Sequence, residues 1–127
     1  MLKKFTRSVA LVIALVAIAQ SALSAETYNL ILPNPPGSSS DIVARTISEE
    51  YNRQTGNTLI LDYAPGGEHL VAVNKFKNQS RLTVILGTTT MHVFNHVTKP
   101  NLPYGDKEFT HIGWIGWSPQ IWYVKAD

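Results

Sequence analysis

Cysteine is absent from all 127 residues of this chain. That excludes a disulfide framework, a cysteine-based metal site and a lipid-anchored cysteine behind an export signal. Neither G-x-x-x-x-G-K-[ST] nor G-x-G-x-x-G occurs, so nucleotide binding has no support. H-E-x-x-H is missing too. His92 and His96 have the i, i+4 spacing of a two-histidine site, but with no flanking glutamate and no cysteine the expectation is no metal and no cofactor. Long apolar runs are also scarce. Val9–Ala19 is an unbroken apolar run of 11 residues, against roughly 20 for an ordinary membrane span.

That short run sits in the setting of a secretory signal. Lys3, Lys4 and Arg7 precede it, and small residues (Ser21, Ala22, Ser24, Ala25) follow. Cleavage after Ser24 fits the small-x-small rule best, and cleavage after Ala25 is the close alternative. The chain thus divides into a Sec-type signal, 1–25, and one domain of ordinary size, 26–127. The basic character of the whole sequence (pI about 9.0) resides mainly in the signal. Without it, eight basic residues face nine acidic ones, a net of −1 with histidines neutral. Charge therefore gives no argument for nucleic acid or an anionic lipid surface. Export implies a periplasmic location.

Leu30 to Arg45 organises the rest. An apolar run (Leu30, Ile31, Leu32) stops at Pro33, and Asn34-Pro35-Pro36-Gly37 forms a turn-rich segment. Ser38, Ser39, Ser40 and Asp41 then lead into an amphipathic pattern. This is strand, loop and helix N-terminus. Unpaired N–H groups and a partial positive charge there favour an anion, and three hydroxyls add donors. Ser38-x-x-Asp41 is also capping-box spacing, which serves only the helix itself. Asp41 could contact an ammonium group or water, or serve the helix dipole alone.

Along the chain, Tyr28–Leu32 reads as a first buried strand. A helix over about 41–55 follows, with Ile42, Val43, Ile47 and Tyr51 on one side, Arg45, Glu49 and Arg53 on a solvated side, and Gly56 as its C′ glycine. Leu59–Leu61 makes a second strand, and Ala64-Pro65-Gly66-Gly67 a second turn. A second helix then carries apolar Leu70, Val71, Val73 and Phe76 with exposed Lys75 and Lys77. Leu82–Leu86 is a third strand, ending in Gly87-Thr88-Thr89-Thr90. A short helix over 91–97 and a loop over 100–107 follow. Two further strands are expected at Phe109–Trp117 and Gln120–Lys125, split by Ser118-Pro119. The tryptophans 114, 117 and 122 suit a core or an inter-lobe surface.

Strands alternating with helices argue for an α/β fold with a parallel sheet and flanking helices. In such sheets ligands sit beyond the carboxyl ends of strands. Three loops leave those ends: 33–40, 64–67 and 87–90. All are rich in Gly, Ser, Thr or Pro, and together they make a cleft of convergent N–H and O–H donors for a small anion. A secreted serine-hydrolase-like domain is the enzyme alternative. However, Gly37-Ser38-Ser39-Ser40 is not the G-x-S-x-G elbow, and no enzyme activity is expected.

Pro33-x-Pro35-Pro36-Gly37-Ser38-Ser39-Ser40-Asp41-Ile42-Val43-Ala44-Arg45 resembles the first loop and helix of Bug-type extracytoplasmic solute receptors, the substrate-binding components of tripartite tricarboxylate transporters. The match continues in order through Gly56, Leu59–Asp62, Pro65-Gly66, Leu82–Thr89, Leu102-Pro103-Tyr104 to Phe109, and Ile112-Gly113 to Pro119. The resemblance implies a type II periplasmic binding protein, of which this chain is a partial first lobe, with its second lobe and the first lobe's return segment absent. It also implies capture of a small carboxylate and, as partners, the transporter's membrane permease subunits. A non-functional truncated fragment is a further alternative. Carried over, the ligand-binding candidates are Gly37, Ser38, Ser39, Ser40 and Asp41 in the first loop, Gly66 and Gly67 in the second, and Thr88 and Thr89 in the third. The chain departs from the family in several places. Ser38 replaces a motif glycine, and Gly66-Gly67-Glu68-His69 replaces Gly-Ala-Gly-Gly. Tyr63 stands at or near an asparagine, and Ser80-Arg81 replaces Asp-Gly. Glu68 would set a carboxylate near the mouth, opposing a dianion, pairing with a zwitterion's cation, or stabilising the helix N-terminus.

Overall fold

The computed structural model describes residues 25–79, 82–117 and Lys125. The signal, the Ser80-Arg81 departure, Ser118-Pro119, Trp122 and the expected 120–125 strand lie outside them, save Lys125 itself.

Three parallel strands form the sheet: β1 (Thr27–Leu32), β2 (Thr58–Tyr63) and β3 (Thr83–Ile85), in the order β2-β1-β3. β1 is central because its side chains can be buried on both faces, as in parallel sheets generally. Leu30 and Leu32 pack with Ala44 on one face. Ile31 packs with Ala64 and Ala72 on the other. The register runs from Thr27 opposite Thr58 to Leu32 opposite Tyr63. The ladder to the third strand is continued by Asn29 N–H to the Leu82 carbonyl and Leu86 N–H to the Ile31 carbonyl, both 2.9 Å.

Helix α1 (Ser39–Thr55) covers the first face, and α2 (Leu70–Lys77) the second. α1 ends at Gly56, whose left-handed φ of 74° and N–H to the Asn52 carbonyl complete the C-terminal cap. A π-helical turn, Thr90–Phe94, runs directly into a short helix α3 (Asn95–Thr98). A third cluster (Val73, Met91, Tyr104) joins this segment to α2.

The α/β reading with a parallel sheet holds, but several local expectations need correction. Ile42, Val43 and Ile47 are exposed, because α1 meets the sheet through Ala44 and, more partially, Ser48 and Tyr51. Ser48 Oγ donates to the Leu59 carbonyl at 2.7 Å, fixing that face. The charged side is solvated as expected, with Arg45, Glu49 and Arg53 all exposed; Arg45 pairs with Asp41 and Arg53 with Glu50. Lys75 is half-buried, its Nζ 2.6 Å from Asp62 on β2, since it lies beside that strand's end. Lys77 pairs with Glu108 at 3.0 Å. The loop over 100–107 closes in a 3-10 turn, Asp106–Glu108. Phe109–Trp117 is not a strand. It has no ladder partner among the described residues, and a strand without one leaves its N–H and C=O groups to water. Trp114 and Trp117 are accordingly exposed, which removes the core alternative and leaves the surface one.

Candidate functional site

The first loop is built by capping. Ser38 takes the extended conformation of an N-cap (φ −72°), and its Oγ accepts from Asp41 N–H at 3.3 Å. Asp41 answers one residue further out than a standard capping box, its Oδ2 accepting from Gly37 N–H at 2.7 Å. The left-handed backbone falls on Gly37 (φ 82°), so the serine at the next position meets no strain.

Asp41 is buried beneath the loop. Its Oδ1 accepts from the Tyr63 hydroxyl at 2.6 Å and lies 2.9 Å from Arg45 Nε. Chiefly through the Gly37 N–H, then the tyrosine hydroxyl and, more weakly, Arg45, its carboxyl is held below the usual range; desolvation opposes this. Tyr63 also accepts from Arg45 Nη2 at 2.7 Å, and its phenol is pushed up mainly by the bond to Asp41. All three groups are engaged with one another, and Asp41 acts as a brace from β2 to the loop. Ser38 Oγ also lies 3.1 Å from Ser40 Oγ. The N–H groups of Ser39 and Ser40 have no partner among the described residues.

The second loop is a tight left-handed turn, Gly67–His69. Gly66 (φ 119°) and Gly67 (φ 55°) adopt positive φ readily, but Glu68 (φ 52°) and His69 (φ 73°) do so as residues with side chains. The turn is clamped from below. Asn95, buried, donates from Nδ2 to the Glu68 carbonyl at 2.9 Å and to Tyr104 Oη at 3.1 Å. Tyr104 in turn donates to the Met91 carbonyl at 2.8 Å. The Glu68 carboxylate turns to Lys99 Nζ, 2.5 Å away.

The third loop, after β3, brings Thr88 to the second. His69 Nδ1 is 2.8 Å from Thr88 Oγ1, which also accepts from Met91 N–H at 3.3 Å. Burial pushes the His69 imidazole pKa down, favouring the neutral ring.

These three loops enclose one pocket of about 430 Å³ at the carboxyl ends of the strands. Of the residues singled out from sequence, Ser39, Ser40, Thr88 and Thr89 line it together. Gly37, Ser38 and Asp41 stand behind the wall and shape it, and Gly66 and Gly67 form the exposed entry to the second turn. Asn34, His69, Thr90 and Phe94 also line the pocket. In the sequence His69 stands out only as the last member of the Gly66-Gly67-Glu68-His69 departure from the family pattern. Its place two residues after the glycines of the second loop is the signal that could have marked it. Among the described residues no group of His, Asp, Glu or Cys could hold a metal ion, and no helix is long and apolar enough to cross a membrane.

A parallel sheet wrapped by helices, with its pocket at the strand ends, is the α/β architecture of the periplasmic binding proteins. A solved structure of a periplasmic transporter has this fold, with a TM-score of 0.57 at 22% identity over 65% of this chain and 29% of that one. No protein-family model matches the chain. It is similar to a UPF0065 protein of Bordetella pertussis, 29% identical over 123 residues, which are 91% of this chain and 38% of the relative. It is also similar to a UPF0065 protein from the tcbD-tcbE intergenic region of a Pseudomonas species, 30% identical over 103 residues, 76% of this chain and 30% of the relative. The chain spans between 30% and 38% of the length of these curated relatives.

Proposed function

We propose that this chain is the ligand-capturing part of a periplasmic solute receptor of the Bug type, and that it holds a small carboxylate without transforming it. The observation that carries this reading is the convergence of three separate strand-end loops on one pocket walled by Ser39, Ser40, His69, Thr88 and Thr89. Hydroxyls and the free N–H groups of the first helical turn replace the water of an anion there. Gly37, Ser38 and Asp41 hold the first loop in shape, and Gly66 and Gly67 let a ligand approach the second. Residues 1–25 act as the export signal in this reading, and 26–127 form part of a first lobe. A membrane permease is the downstream partner, met in the periplasm.

The hydrolase reading needs a serine hydroxyl bonded to a base. No such pair occurs among the described residues: His69 turns to Thr88, and Ser38 contacts Ser40 and Asp41 N–H. Calorimetric titration of the purified chain with acetate, succinate and citrate tests the proposal. Saturable binding is expected, with the acid recovered unchanged. Thr88→Ala should weaken binding several-fold, since one hydrogen bond contributes about 0.5–1.5 kcal/mol. Absence of binding to every acid would overturn the reading.

A further inference from the structure

We infer that His69 is the specificity-determining group of this pocket: the site takes up a proton together with its anion, so it selects anionic over neutral ligands of the same shape and binds them more tightly as pH falls. The inference rests on the receptor reading above and adds the charge of the bound state.

The geometry is specific. The lining side chains are Asn34, Ser39, Ser40, His69, Thr88, Thr89, Thr90 and Phe94, and His69 alone among them titrates near neutral pH. Its Nδ1 is fixed on Thr88 Oγ1, and its Nε2 has no protein partner among the described residues. A threonine hydroxyl has one proton and two lone pairs. With the neutral ring, Thr88 can donate to Nδ1 while accepting from Met91 N–H. Once the ring is protonated, Nδ1–H must donate instead. Both lone pairs of Thr88 are then filled, and its own O–H is released toward the pocket. One proton therefore creates a cation and frees a second donor for the anion.

The surrounding charges leave this histidine to the ligand. Glu68, on the same turn, is paired with Lys99. On the π-turn opposite, His92 Nδ1 faces Asp106 at 3.5 Å, and His96 of α3 faces the same oxygen at 3.7 Å. Lys75 of α2 is tied to Asp62 of β2, and Asp41 of the first loop is tied to Arg45 and Tyr63. Burial is the cause of the lowered His69 pKa, with no charged neighbour contributing. Burial therefore favours the neutral ring, and an anion beside it raises the pKa by opposite charge. The left-handed backbone of His69 adds to the picture. A glycine would relieve the strain, and Asn95 clamps the turn instead.

The experiment is a calorimetric titration of the full chain with acetate, succinate and citrate, from about pH 8 to about pH 6; acetate is fully ionised across this window, and the free acid's own protonation, which enters it for the last carboxyls of citrate and succinate, is subtracted. Succinamide serves as the neutral counterpart. The dissociation constant of the acid that binds should fall roughly tenfold over that window, with proton uptake rising from near zero at the alkaline end toward one at the acid end, measured from two buffers of different ionisation enthalpy. Succinamide should show no such slope. His69→Asn tolerates left-handed backbone and keeps an amide for Thr88. It should keep the native circular dichroism spectrum and bind with no pH slope. An acid bound with a pH-independent constant, or a slope that survives in His69→Asn, overturns this inference and leaves the receptor reading standing. Failure of all three acids to bind at any pH overturns both.

Discussion

At the scale of single residues, Asp41 does more than complement a helix dipole. Three donors hold its carboxylate, so its folded-state pKa lies below the ordinary value of 3.8. A depressed carboxyl stabilises the fold fully above its unfolded pKa and loses that contribution as pH falls through the folded one. Asp41→Asn should therefore be less stable than the parent at neutral pH, with the gap closing below about pH 3.8 in urea titrations at stepped pH. Ser38→Ala removes the cap on Asp41 N–H and should cost about 1 kcal/mol, read as a lowered denaturation midpoint. The sequence showed the Ser38–Asp41 pair because capping is local. It did not show Tyr63 Oη, which reaches Asp41 from a different strand, since nothing in the spacing of residues 41 and 63 reports their contact. His69 runs in the same direction with pH for a different reason: burial lowers its folded pKa, so the unfolded chain protonates first and the protein loses stability as pH falls through about 6.5.

Elements were legible where their signals were internal and obscure where a neighbour decided. α1 announced its start by Ser38 and its end by Gly56, and β1 by its uninterrupted apolar run. Which side of α1 faces the sheet was misread, because small Ala44 permits the closest approach while the larger Ile42 and Ile47 stay outside. Accordingly Ile42→Glu should change stability by no more than about 0.5 kcal/mol, whereas Ala44→Leu should cost about 1–3 kcal/mol by overpacking; parallel chemical melts compare the two. Phe109–Trp117 had the composition of a strand, but composition supplies no ladder partner. The left-handed turn carries its own test. Glu68→Gly gives up an exposed ion pair of small value and relieves a strained backbone, so the melting temperature should rise, by the equivalent of about 1 kcal/mol.

For the molecule as a whole, the convergence of the three loops was legible because topology, not side-chain detail, dictates it. Parallel strands joined through helices deliver every strand-end loop to one edge. What stood outside sequence reasoning was the depth at which each residue sits: Ser39 at the wall, Asp41 behind it, Glu68 turned away to Lys99. Exposed Ile112, Trp114, Ile115 and Trp117 form an apolar stretch, and Trp114→Ser with Trp117→Ser should reduce binding of a hydrophobic dye, measured by fluorescence.

The order β2-β1-β3 also governs time. No two neighbouring strands are joined by a hairpin, so every rung of the sheet links distant points of the chain: Thr27 waits for Thr58, and Asn29 for Thr83. High contact order of this kind slows folding, because loop closure must precede any reward in contacts. The strand made first cannot be completed until residues more than fifty positions later have followed it. A chain so arranged acquires its sheet, and with it the pocket at the strand ends, only once residues as far along as Ile85 are free to pair.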